Sequence, residues 1–223
     1  LAYNTYITAY NTNMAANECF LDSATLRENV VALARNIGYV PRSRRSARAR
    51  ISFNVSGLTD TSTLTLNSGL VCNGVGRNSN FIFSIPESIT VPVNNGFAEF
   101  NNIEIYEGTF VAQSFTVRSS LSNQKFILDN SFIDTSTIKV RVRSSESSTS
   151  SVTYKQIDNI IGITSTSNSY LLQEIEDERY ELIFGDNVIA KKLENDNFIV
   201  TSYITSAGRE GNDASEFSFV GNI

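Results

Sequence analysis

The first part of the chain carries apolar residues at the spacing of α-helices. Between Leu1 and about Leu21 the larger side chains recur three and four positions apart, which places them on one helical face. They are Tyr3, Tyr6, Ile7, Tyr10 and Met14. This stripe predicts either a partner surface or a lid over the chain's own core.

A second helix is predicted shortly afterwards. Asp22 or Thr25 can cap its start, Glu28 stands where a capping box requires an acid, and Gly38 can end it. Its predicted inner face consists of Leu26, Val30, Leu33, Ala34 and Ile37.

From residue 51 to residue 117, apolar and polar residues alternate in short groups, which is typical of half-buried β-strands. Turn-forming sequences such as Asn67-Ser68-Gly69, Asn73-Gly74 and Asn94-Asn95-Gly96 separate the groups. Short antiparallel strands at this spacing indicate a sandwich or a rolled sheet. Gly74-Val75-Gly76 lacks the third glycine and the lysine of a phosphate loop and is interpreted as a turn.

A second β-rich block follows the non-periodic stretch from Ser119 to Lys125. Alternation predicts strands at Ile138–Val142, Tyr180–Phe184 and Phe198–Tyr203. Polar turns at residues 176–178, 185–187 and 194–197 connect the later strands, so that a meander of antiparallel strands is expected. The polar run Ser144–Ser151 is predicted to be an exposed loop.

The predicted fold class is therefore α+β and mostly β, with an N-terminal helical pair followed by two small antiparallel β-rich domains. The predicted boundaries place the helices and a basic loop in residues 1–46 and a sandwich-like domain in residues 47–119. The second β-rich domain occupies residues 120–223.

Composition and charge narrow the function. The 223 residues carry a formal net charge of −5, which argues against a protein that mainly coats nucleic acid. No apolar run approaches the roughly 20 residues that span a bilayer, so neither a membrane nor a nucleic acid is an expected partner. Cys19 and Cys72 are too few for a disulfide framework, which favours reduced thiols. Because the chain starts at Leu1, it is expected to be a piece of a longer protein.

Candidate catalytic chemistry is sparse. The chain contains no histidine, which excludes histidine-based nucleophilic machinery and histidine-ligated metals within it. Six carboxylates cluster in sequence, namely Glu174, Glu176, Asp177, Glu178, Glu181 and Asp186. A glycosidase needs two of them, one with a raised pKa, whereas a solvated turn keeps them ionised. The expectation is no enzyme, no cofactor, no metal site and no small-molecule substrate.

A basic cluster stands out against the acidic whole. It lies between the second helix and the first strand and consists of Arg42, Arg44, Arg45, Arg48 and Arg50. These side chains can pair with carboxylates of a neighbouring subunit, with the chain's own acidic turns or, least favoured, with phosphates. Arg42, Arg44, Arg45 and Arg48 are candidate interface residues, together with Tyr3, Tyr6, Tyr10 and Met14.

Two separate blocks of sequence resemble the baseplate wedge proteins of T-even-like contractile-tailed phages, within the baseplate-J-like family. The later block reads L-L-x-E-x-x-D-x-x-Y-E-x-x-F-G-D from Leu171 to Asp186 and continues through Lys192, Leu193, Asn195, Asn197 and Ile199. The earlier block runs from Asn17 to Arg45 and includes Glu18, Phe20, Leu21, Gly38, Tyr39 and Pro41.

The resemblance implies a structural subunit of the virion, assembled in the host cytoplasm into the tail baseplate. Such a subunit would link neighbouring wedge proteins in a ring around the hub and rearrange when the sheath contracts. Its partners would be other wedge proteins and a second copy of itself. Two rival functions remain: a carbohydrate- or receptor-binding tail module and, least favoured, a carboxylate glycosidase.

Overall fold

Helices occupy the first part of the chain and strands occupy most of the rest. The computed structural model describes residues 2–36, 43–77, 79–121, 123–157 and 161–223. It divides the chain into two compact units, Leu1–Arg42 and Ser43–Ile223. The mostly β character that the alternation predicts is confirmed. The predicted domain boundaries at residues 46 and 119 stay predictions.

The first unit contains helix α1 (Ala2–Asn17) and helix α2 (Arg27–Asn36). Burial on α2 differs from the prediction, because Val31 and Ala34 are buried whereas Leu26 is 55% exposed. Leu26 precedes the helix, and its carbonyl oxygen accepts the N–H of Val30 at 3.1 Å. It therefore lies ahead of the first turn and not on the inner face. Ile37, Gly38 and Pro41, which the sequence assigns to the end of this helix, lie outside the described residues.

The described residues of the second unit form fourteen strands. In chain order they are β1 (Arg48–Ser56), β2 (Thr63–Leu66), β3 (Gly69–Val75), β4 (Asn80–Ile85), β5 (Ile89–Asn94), β6 (Phe97–Glu107), β7 (Thr109–Thr116), β8 (Phe126–Leu128), β9 (Ile133–Arg143), β10 (Ser151–Gln156), β11 (Ser169–Glu174), β12 (Tyr180–Phe184), β13 (Phe198–Thr205) and β14 (Glu216–Phe219). Short 3₁₀ helices lie at Glu176–Glu178 and Arg209–Asp213.

Seven of these strands form sheet I, in the order β14-β3-β4-β6-β5-β2, with β1 paired to β6. All of its pairs among the described residues are antiparallel. Its core is built by the apolar residues that alternate along the strands, including Leu66, Val71, Phe83, Phe100 and Ile105. Phe53 stacks on Phe100 with ring centroids 4.8 Å apart, which extends this core to β1.

One of the predicted turns is wrong, because its residues lie within a strand of sheet I. Asn73-Gly74 and Val75 lie inside β3, where Gly74 pairs with Phe81 of β4 and Phe217 of β14. A Cβ atom on Gly74 would lie 2.7 Å from the ring of Phe83. The glycine is present because an aromatic ring covers the strand at this position and not because the chain turns.

The other seven strands form sheet II, in the order β7-β13-β9-β10-β11-β12-β8. Its core includes Leu128, Ile133, Val140, Leu182 and Tyr203. The predicted meander is wrong, because β13 pairs with β7 and β9 and not with β12. The prediction of purely antiparallel sheets is also wrong, because β10 and β11 are parallel. A long connection, residues 157–168, separates these two strands, as a parallel pair requires.

The chain crosses between the sheets at Gly108. This residue has φ 128°, a backbone conformation that favours glycine. Its N–H donates to the carbonyl oxygen of Ile82 at 2.8 Å, and its own carbonyl oxygen accepts the hydroxyl of Ser84 at 2.8 Å. A Cβ here would lie 2.8 Å from the side chain of Ile204 in sheet II. Sheet I thus holds the crossing point against sheet II.

Polar contacts join the two sheets further. The hydroxyl of Ser206, just after β13, donates to the carboxylate of Glu107 at the end of β6 over 2.6 Å. The hydroxyl of Ser202 on β13 donates to the carbonyl oxygen of Pro86 at 2.9 Å. The neighbouring Glu87 pairs with Arg141 and, at 3.9 Å, with Lys139 of β9. These contacts form a polar junction between the two sheets inside the second unit.

Candidate functional site

The apolar stripe of α1 is exposed, as is the rest of the helix. Tyr3, Tyr6, Tyr10 and Met14 are 75%, 68%, 55% and 40% exposed, and α1 contains no buried residue. The helix also carries no charged side chain along its sixteen residues. The stripe has the exposure that a partner surface requires, and both alternatives, a partner surface and a cover over the chain's own core, stay predictions.

Sequence-local hydrogen bonds support α1. The hydroxyls of Thr8 and Thr12 donate to the carbonyl oxygens of Asn4 and Thr8, both at 2.8 Å. Both threonines lie on the helical face opposite the tyrosines. The threonine hydroxyls of the polar face are thus hydrogen-bonded within the helix, while the side chains of the aromatic face are exposed.

Glu18 organises the turn between the two helices. Its carboxylate accepts the N–H of Thr25 at 2.9 Å, the hydroxyl of Thr25 at 2.7 Å and the side-chain N–H of Asn29 at 2.8 Å. The Asn29 hydrogen bond, followed by those from Thr25, lowers the pKa of Glu18 to about 2. The predicted Thr25 cap is thus replaced by a more distant acid, and the side chain of Glu28 is not among those described.

The arginine cluster divides into paired and unpaired side chains. Arg48 donates to the hydroxyl of Ser136 at 2.9 Å, lies 3.8 Å from the carboxylate of Glu104 and stacks over Tyr106. Arg48 is therefore explained by contacts within the chain. This was one of the alternatives that the sequence left open.

Arg44 and Arg45 are exposed. The guanidinium of Arg44 lies 4.1 Å from the centroid of the Phe132 ring, which is a cation–π contact. Among the described residues, neither Arg44 nor Arg45 has an ion-pair partner. Both remain candidates for contact with another subunit, and Arg42 lies outside the described residues.

The acidic turns have structural roles. The carboxylate of Asp186 accepts the N–H groups of Val188 and Ile189, each at 2.9 Å, and these two bonds lower its pKa. Asn195 accepts the N–H of Ser119 at 2.9 Å. Within the described residues, no three His, Cys, Asp or Glu side chains come together as a metal site. Nor do those residues include a helix that is long and apolar enough to cross a membrane.

An open depression of about 460 Å³ lies beside strand β12. Leu121, Phe126, Ile183 and Leu193 give it an apolar lining. Among its described lining residues Glu181 is the one carboxylate, and Lys125 lies 3.9 Å from it. The two carboxylates that glycoside hydrolysis requires are therefore not brought together at this place.

One charged surface was missed by the sequence interpretation. Lys139, Arg141 and Arg143 alternate with buried Ile138, Val140 and Val142 along β9, so they project from the face of sheet II opposite its core. The basic residues at alternate positions were visible in the sequence, but the strand was predicted from its apolar positions alone. The basic residues between those positions define a second face.

The described residues thus present an uncharged α1 with exposed tyrosines, a polar junction between two sheets, and the exposed Arg44 and Arg45. The chain is similar to baseplate wedge protein gp6 of Enterobacteria phage T4, with 26% identity over an alignment of 247 residues. The alignment covers all of this chain and 35% of the relative, so the chain spans about a third of that protein's length. No protein-family model matches the chain.

The comparison confirms the resemblance to baseplate wedge proteins that the two sequence blocks indicate. It supports a structural role in a phage tail baseplate.

Proposed function

We propose that the chain is a structural segment of a baseplate wedge subunit in a contractile phage tail. It links neighbouring wedge proteins, and a second copy of itself, in a ring around the hub, and it rearranges when the sheath contracts. It acts in the virion after assembly in the host cytoplasm, without catalysis. The similarity to a wedge protein along the whole chain supports this role.

The exposed apolar face of α1 is the observation that carries the proposal. Tyr3, Tyr6 and Tyr10 are each more than half exposed on a helix without charged residues. Tyrosine provides a large contact area at a small entropic cost and is enriched in protein interfaces. A helix of this kind gains most of its stability when the face is packed against another helix. The expected partner is therefore a helix of a second copy or of another wedge protein.

The test is co-expression with the neighbouring tail proteins of the same phage, followed by native mass spectrometry of the purified product. We expect a defined complex that contains more than one copy of the chain with a partner. Replacing Tyr6 and Tyr10 with Ala should remove the complex. The matched control, Thr5→Ala with Thr12→Ala on the opposite face, should retain it.

The outcome against the proposal is equally definite. The proposal would be contradicted if the chain stayed monomeric in the presence of every wedge partner while the helical signal of α1 was retained. Binding to a glycan array under the same conditions would then favour the carbohydrate- or receptor-binding module.

A second test concerns the exposed arginines. Charge reversal at Arg44 and Arg45 should weaken the complex, increasingly at low salt, because neither side chain forms an ion pair with the described residues. Charge reversal at Lys191 and Lys192, both exposed, changes the net charge equally and should have a small effect. Equal weakening by both pairs would show a general charge effect and not an interface.

A further inference from the structure

The basic face of β9 lies on the side of sheet II opposite its core, where the turn at Pro86 and Glu87 of sheet I contacts part of it. Lys139 and Arg141 each have side chains that are 43% exposed, and Arg143 is half-buried. We call these three residues the basic row. Their neighbours across the strand pairs are uncharged: Ser202, Val200 and Phe198 on β13, and Thr153 and Ser151 on β10.

The positive charge of the basic row is only partly neutralised by carboxylates of the same chain. Glu87 pairs with Arg141 and lies 3.9 Å from Lys139, so one carboxylate serves two cations. Arg143 has no ion pair with the described residues, and its Nε is shielded from solvent without a hydrogen-bond acceptor. Lys155 adds a further exposed cation, because it lies on β10 two positions beyond Thr153, the cross-strand neighbour of Arg141. This excess of positive charge occurs in a chain whose net charge is −5.

We propose that the basic row binds an extended, carboxylate-bearing segment of a neighbouring protein. Alternate residues of a strand are about 6.6 Å apart, so the cations of the row have the same repeat as carboxylates at alternate positions of an extended segment. The guanidinium fork of Arg143 matches the geometry of a carboxylate.

The choice of a protein segment rests in part on the proposed assembly function. Charge also favours a protein segment over a nucleic acid. The phosphates of a nucleic acid strand would extend beyond the basic row and over a chain of net negative charge. A short acidic segment would contact the row alone. Nucleic acid binding therefore becomes an outcome of the test.

The experiment measures fluorescence anisotropy of two labelled peptides with the full chain at low salt. One peptide alternates Thr and Glu, and the other has the same composition with its glutamates in one block. We expect the alternating peptide to bind at least fivefold more tightly and to lose its binding in high salt. Arg143→Glu should weaken binding at least tenfold, whereas Arg77→Glu, the control at an exposed arginine between β3 and β4 of sheet I, should weaken it less than twofold.

Because Arg143 is half-buried, Lys155→Glu provides a second variant at an exposed position. It should also weaken binding, with an unchanged unfolding midpoint. Equal affinity for the two peptides, or no effect of either variant, would overturn the inference, as would tighter binding of a thymidine oligonucleotide. If the alternating peptide does not bind but native mass spectrometry still shows the complex, only the proposal for the basic row would be overturned. Loss of the complex with intact peptide binding would overturn the proposed wedge function alone.

Discussion

Ser206 and Glu107 are 99 positions apart in the chain, yet the hydroxyl of the first donates to the carboxylate of the second over 2.6 Å. Both residues are buried, at 5% and 4% exposure. The same Ser206 oxygen accepts the N–H of Gly208 at 2.8 Å. The side chain of Glu107 also packs against Gly211, where a Cβ atom would lie 2.9 Å from that of Glu107. The Ser206 hydroxyl thus links the end of β6 in sheet I to the residue that follows β13 in sheet II.

We expect Ser206→Ala to destabilise the chain by about 1–3 kcal/mol, because it removes a donor from a buried carboxylate. Urea unfolding followed by circular dichroism measures the change. Ser114→Ala, at an exposed position of β7, serves as the control and should change stability by less than about 0.5 kcal/mol. Equal stability of the two variants would show that the junction contributes little.

Alkaline pH should weaken the second unit through Tyr203. Its hydroxyl donates to Asn130 at 2.7 Å and lies 3.2 Å from Gln113, and burial raises its pKa to about 12. The unfolded chain releases this proton first, near pH 10, so stability should fall as the pH rises from about 10 to about 12. Tyr203→Phe should make this fall shallower, at a cost of about 1 kcal/mol near neutral pH from the lost hydrogen bond. Denaturation midpoints across this range provide the measurement.

Tyr106 is expected to contribute to the same alkaline transition. Burial, followed by its hydrogen bond to Glu104, raises the pKa of Tyr106 to about 12. The Tyr203→Phe variant should therefore retain part of the pH dependence. A variant with no pH dependence left would contradict the role of Tyr106.

Acid should loosen the start of α2 through Glu18. Its folded pKa, about 2, lies below the usual 4.5, so its contribution is fully present above pH 4.5 and is lost as the pH falls from 4.5 towards 2. NMR titration of the Glu18 carboxyl measures this pKa directly. Asn29→Ala should shift the midpoint upward, because the hydrogen bond from Asn29 is the largest cause of the depression. A midpoint that stays near 4.5 in the unmodified chain would contradict the cap.

Gly185→Ala should destabilise the loop after β12 by about 1–3 kcal/mol through overpacking. A Cβ at this position would lie 2.5 Å from the carbonyl oxygen of Ile189 and closer still to that of Ala190, which are backbone atoms and cannot rotate away. Gly57→Ala is the informative control, because Gly57 has φ 79° with no atom within 4 Å of its Cβ position. It should lose only the roughly 1 kcal/mol associated with positive φ. Thermal unfolding of both variants separates crowding from backbone strain.

Local patterns predicted many of the strands because most strands bury one face. The alternation of Tyr180, Leu182 and Phe184 matches β12, and the turn residue Asn187 does adopt positive φ, 71°. The helical spacing of α1 was also predictable from the sequence. These features depend on neighbours within a few positions.

Pairing between distant segments was not predictable in the same way. β14 pairs with β3, and β13 inserts between β7 and β9, because sheet edges select partners by shape and burial across the whole fold. Glu18 replaced a nearer capping residue because its longer side chain reaches the backbone of Thr25 and Leu26. At the arginine cluster, the sequence identified the charges, but the contacts of Arg48 with Ser136 depend on a strand 88 positions away.

The return of β14 to sheet I sets the order in which the chain can fold during synthesis. Phe219 pairs with Cys72, and Val220 donates its N–H to the carbonyl oxygen of Val71 at 2.8 Å. The outer edge of β3 therefore stays unpaired until the ribosome has released residues 216–220, which are translated after every strand of sheet II. Such delayed, long-range closure slows folding and leaves a strand edge open to other chains. In a cell that makes many copies at once, capture of that edge by another nascent chain would compete with correct folding.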